Sequence, residues 1–178
     1  RVIQLNRELE DRYQLGLILS INSFTAMALG KYDEAHAMLD EALPLLREVG
    51  NPYRIAMALN FSGDLARCEK NYTWAQTAYQ ESISLLRKLD APRDLASALQ
   101  NLGHTCLHLG ELERAHALFT ESMVMQLAQQ NTPGIAECLI GFAATGIAYG
   151  LPIAGARLLA TAVRIGGQRI VSTWAATR

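Results

Sequence analysis

The chain has 178 residues and a mass of 19.5 kDa, with 50% of its residues apolar and 19% charged. That apolar share excludes a disordered chain, and 3 Cys are too few for a small disulfide scaffold. Sixteen basic against 17 acidic residues leave no net field to attract nucleic acid or an anionic membrane surface, so neither is expected as a direct partner. The sequence opens on Arg1 with no basic-then-apolar leader, and reads as a piece of a longer, cytoplasmic protein.

Cut every 40 residues from Asp11, the chain falls into four rows without insertion: 11–50, 51–90, 91–130 and 131–170. Residues 1–10 read as the tail of a preceding helix, with Leu5 in register with Leu45 and Leu85, and 171–178 as a C-terminal tail. Leu19, Leu59, Leu99 and Leu139 share one column, and the small residues Ser23, Gly63, Gly103 and Ala143 share another. Gly30, Gly110 and Gly150 share a third, with Lys70 as the exception. Ala35, Ala75, Ala115 and Gly155 form a second small column, followed four residues on by Leu39, Tyr79, Phe119 and Leu159.

In chain order, apolar spacings of three and four predict helices over 14–29, 32–48, 53–69, 72–88, 93–109, 112–129, 133–149 and 152–165. The Gly column between half-rows supplies a left-handed turn. Asn51-Pro52 and Thr132-Pro133 supply a cap followed by a first-turn proline. Period-two alternation is absent. The fold class is therefore all-α, about four helix hairpins stacked as an α-solenoid.

The chain resembles the tetratricopeptide repeat (TPR) family over almost its whole length. The residues that carry the likeness are the small residue midway along each first helix and the turns Gly30-Lys31-Tyr32, Asn71-Tyr72 and Gly110-Glu111-Leu112. The Ala three residues on, then the aromatic and small columns, complete it. The resemblance implies a right-handed superhelix whose first helices line a concave groove for a protein or peptide. The endings LLREVGNP and LLRKLDAP, with GIAECLIGFAATGIAYGLPIAGARLLATAV, look like the repeat region of bacterial LuxR-type (MalT-like) and related signal-transduction ATPase regulators. In those proteins such repeats follow an ATPase module, so a nucleotide site would lie outside this sequence.

Few residues suggest chemistry. Cys68, Cys106 and Cys138 fall in separate columns and read as free thiols of a reducing compartment. His104 and His108 stand at i and i+4, a spacing that can clamp a metal, but no third ligand accompanies them. Cys138 to Ala156 is a run of 19 uncharged residues, broken by Gly150-Leu151-Pro152 where the other rows turn. A buried last repeat is expected rather than a membrane span. No phosphate loop, nucleophile elbow or carboxylate pair is present, so no enzyme activity, metal or cofactor is expected.

On the TPR geometry, the groove would be lined by Phe24 and Met27 from the first row and by Met57, Asn60, Asp64 and Arg67 from the second. The third row adds Gln100, His104, Leu107 and His108. The polar centre could hydrogen-bond an extended peptide, with Phe24, Met27 and Met57 as an apolar pocket. The alternative is a plain solvated face in which Asp64 and Arg67 pair with each other. The expected function is a non-enzymatic sensor or scaffold module of a larger bacterial regulator. The second possibility is self-association, a homo-dimer formed through the apolar fourth repeat.

Overall fold

A computed structural model describes residues 11–166, all of whose regular structure is helical. The eight helices are α1 (Arg12–Ala28), α2 (Tyr32–Val49), α3 (Pro52–Cys68), α4 (Tyr72–Lys88), α5 (Pro92–His108), α6 (Leu112–Ala128), α7 (Thr132–Ala148) and α8 (Pro152–Gly166). Each lies within two residues of its sequence expectation. The readings for 1–10 and for the C-terminal tail lie outside the described residues. The chain divides between Asp90 and Ala91 into two compact units, α1–α4 and α5–α8.

The helix starts follow from caps. Asp11, Asn51 and Asn71 accept from the backbone N–H three residues on, at 3.0, 3.1 and 3.3 Å. In α7 the cap is Asn131, whose side chain accepts from Gly134 N, and Thr132 is already helical. The expectation of a Thr132 cap is corrected by one residue, because the proline tolerated in the first turn sits at its second position rather than its first.

The connections share one geometry. Gly30, Gly50, Gly110 and Gly150 have φ of 73 to 79°, and Lys70, Asp90 and Gln130 take φ of 61, 49 and 52° in the same role. A left-handed backbone therefore recurs every 20 residues, twice as often as the Gly column suggested. A side chain there costs about 1–2 kcal/mol, of which glycine's extra freedom in the unfolded chain returns part. Lys70→Gly and Gln130→Gly are each expected to stabilise by about 0.5–1 kcal/mol, seen as a higher urea midpoint at constant slope. A lower midpoint for both would refute the strain.

In the first unit, Ala26, Ala35, Leu39, Leu46, Ala58 and Leu65 form a core cluster bordered by Met27, Leu43, Ile55 and Phe61. Leu15, Leu19 and Ala42 form a second one between α1 and α2. Tyr79 fills the α3–α4 interface, where a Cβ on Gly63 would lie 2.6 Å from its ring. The second unit repeats the device: Phe119 is fully buried, and a Cβ on Gly103 would lie 2.8 Å from it. The small-residue column exists because aromatic rings occupy the space where its side chains would be. Ser82 and Ser122, one row apart, each donate at 2.8 Å to a first-helix carbonyl, of Ala56 and Ala96. Both hairpins are thus closed by a buried hydroxyl as well as by packing.

Candidate functional site: the first-helix faces

In the first unit, α1 and α3 bring Phe24 against Phe61, with ring centroids 5.5 Å apart. Phe24 is 49% exposed, so the pair is left half in water. Met27 and Phe61 rest on the core below, and Met57 is half-buried one turn before Phe61 on α3. Ile21 adds a further exposed apolar side chain to α1. The expected apolar pocket therefore contains an additional aromatic, Phe61, which the column mapping assigned to the core.

Next along α3, Asp64 is held from two sides. The Tyr79 hydroxyl donates to its Oδ1 at 2.6 Å, and Arg67 Nη2 lies 3.7 Å from the same oxygen. Burial raises the Asp64 carboxyl above its ordinary value, opposed by the Tyr79 hydrogen bond and by Arg67. Asn60 is buried, with Oδ1 lacking a hydrogen-bond partner among the described residues, as does Arg67 Nε. The pairing that a solvated face would show is present, and Asn60 is removed from water.

In the second unit, Gln100 is also buried instead of lining a surface. Its Nε2 donates to the Gly134 carbonyl at 2.7 Å and to Cys138 Sγ at 2.9 Å. Gln126 is fully buried beside it, held by Asn131 Nδ2 at 2.7 Å, and fits because Gly134 carries no side chain. Glutamine faces inward here because these polar partners satisfy an amide that an apolar core would leave unpaired. His104 is half-buried, its ring edge-on to Phe119 at 5.0 Å. Leu107 is half-buried and His108, the last residue of α5, is exposed.

Among the described residues, no group of three or more His, Cys, Asp or Glu gathers as a metal site. All three cysteines are free, Cys106 and Cys138 buried and Cys68 exposed. No helix of the described residues is long and apolar enough to cross a membrane.

Residues 54–128 match the tetratricopeptide repeat family model. The chain carries tetratricopeptide repeats. No curated protein matches the sequence. Among solved structures, BtubC (BKLC) from P. vanneervenii is similar at a TM-score of 0.77 and 20% identity, over 96% of this chain and 72% of that one. A signal-transduction ATPase with numerous domains and a tetratricopeptide repeat sensor, from Pyrococcus horikoshii, is similar at a TM-score of 0.79 and 16% identity. The match covers 98% of this chain and 28% of the ATPase, so the chain spans about a quarter of that protein.

Within the tetratricopeptide frame, each candidate has a local cause. Phe24, Asn60, Asp64 and His104 sit on first helices. Asp64 is the acid of its column, beside the column's single tyrosine, Tyr79. That coincidence of Asp and Tyr in one row was the available signal for their hydrogen bond.

Proposed function

We propose that this chain is a non-enzymatic interaction module that binds a protein or peptide, and that it serves as a sensor or scaffold arm of a larger bacterial signalling or transcriptional regulator in the cytoplasm. Tetratricopeptide repeats support the interaction role, and the likeness to an ATPase with a tetratricopeptide sensor supports the regulatory setting. The observation that carries the reading is the half-exposed Phe24 stacked on Phe61, an aromatic pair on the face shared by α1 and α3. Aromatic rings held rigid and partly wet are what an incoming apolar side chain would cover.

Asp64 and Arg67 border this pair and largely cancel each other's charge. The face would thus select a partner by apolar contact more than by net charge. Occupancy would bias the regulator between two states only if one of them exposes the face better.

Affinity capture with quantitative mass spectrometry tests the reading. Phe24→Ser with Ile21→Ser, both at exposed positions, is expected to lose about ten-fold or more of a partner that the wild type retains, at unchanged helicity by circular dichroism. Equal capture by the two proteins would remove α1 from the binding surface.

A further inference from the structure

Helix α8 packs on α7 through Gly155 and Ala162, with Leu159 and Leu158 half-buried beside them. On its outer side Ile153, Ala156, Ala160 and Val163 are exposed and form one stripe at helical spacing. Ile153 is 77% exposed and Val163 is 46% exposed. Arg157 and Arg164, seven residues apart, flank the stripe on one side. Neither makes an ion pair among the described residues, and α8 contains no acid.

The second unit already shows how such a surface is covered. One row earlier, the columns of Ala156, Leu159 and Val163 are occupied by His116, Phe119 and Met123 of α6. There α7 lies across them, with Phe142 at 5.1 Å from the His116 ring and 6.1 Å from Phe119. The α8 surface is therefore shaped for a helix, and its charge states which kind.

We infer that the outer face of α8 docks an acidic amphipathic helix of a partner protein, whose apolar side covers Ile153, Ala156, Ala160 and Val163 and whose carboxylates meet Arg157 and Arg164. A second copy of this chain is a poorer occupant. Pairing α8 with itself would bring four arginines together without one acid from either helix, which repels. A helix with two carboxylates seven residues apart on one flank removes that penalty and supplies the missing partners.

The test uses two synthetic helices of about 21 residues, long enough to be helical when bound. One has a leucine seam flanked by two Glu seven residues apart, and its twin has Lys at those positions. Fluorescence anisotropy at low salt is expected to show the Glu helix binding at least about ten-fold tighter than the twin. Arg157→Glu with Arg164→Glu is expected to reverse the preference, and Ile153→Asp to abolish binding of both. Equal affinity of the twins, no binding, or binding indifferent to Ile153→Asp would each overturn the assignment. So would a sedimentation-detected dimer of the wild type that Ile153→Asp dissociates, since the stripe would then belong to a second copy.

Discussion

Phe119→Ala is expected to lower the unfolding free energy by about 3–5 kcal/mol, among the largest losses for one substitution here. The ring is fully buried in α6 and is pressed from two sides, by Gly103 of α5 and Gly141 of α7. His104 and Phe142 meet it edge-on at 5.0 and 6.1 Å. Its removal opens a cavity where three helices meet, and backbones held apart by other contacts cannot close it. Urea denaturation followed at 222 nm reads the loss; a value under about 1 kcal/mol would mean the ring does not hold the second unit together. The reverse change probes the same fit. Gly141→Ala places a Cβ 2.5 Å from the ring, and its clash should outweigh the roughly 1 kcal/mol that alanine contributes as a helix former.

Tyr79→Ala should cost a similar amount in the first unit, about 3–5 kcal/mol, and Tyr79→Phe isolates the hydroxyl at about 1–3 kcal/mol. The hydroxyl donates to Asp64, whose carboxyl burial holds above its ordinary value. The folded state thus binds the Asp64 proton more tightly than the unfolded state does. Stability from this group falls as pH rises from the unfolded value, 3.8, through the raised folded one. Above that window the ionised carboxylate depends on Tyr79 and Arg67, so the cost of Tyr79→Phe is largest there and shrinks in acid. Asp64→Asn should remove this pH slope, and an unchanged slope in that variant would assign it elsewhere. At the alkaline end, burial first and the Asp64 carboxylate second push the Tyr79 phenol well above 10. The folded chain therefore resists ionising it, and loses stability as pH climbs past the unfolded phenol's value.

The helices and their order were legible because their causes are local and repeated. Asn51 and Asn71 announce a cap, Pro52 and Pro92 a first turn, and Gly30 and Gly110 a left-handed exit, each at a fixed interval. The small columns were legible as well, though not their reason: Gly63 and Gly103 are small because Tyr79 and Phe119 point at them. The candidate surface was harder to read. Phe24, Asp64 and Arg67 fall where the repeat places them, but Asn60 and Gln100 lie buried in the same columns. Whether an amide faces water or core depends on partners far away in sequence, such as Gly134 and Cys138 for Gln100. Phe61 was missed because one row supplies the ring that stacks on Phe24, and a column average hides single-row features.

The left-handed connector that recurs every 20 residues has a consequence for how such a chain changes length. Gly50 ends one hairpin and Asp90 the next, with the same backbone turn before each following helix. Excising residues 51–90 would splice Gly50 directly to Ala91-Pro92, and the junction would still hold a left-handed residue followed by a proline-led helix. A gene encoding this chain can therefore gain or lose whole 40-residue blocks by unequal recombination, without a damaged seam to repair. A slip of any other length would put a side chain where the turn needs a left-handed residue, and such lengths should be rare among its descendants.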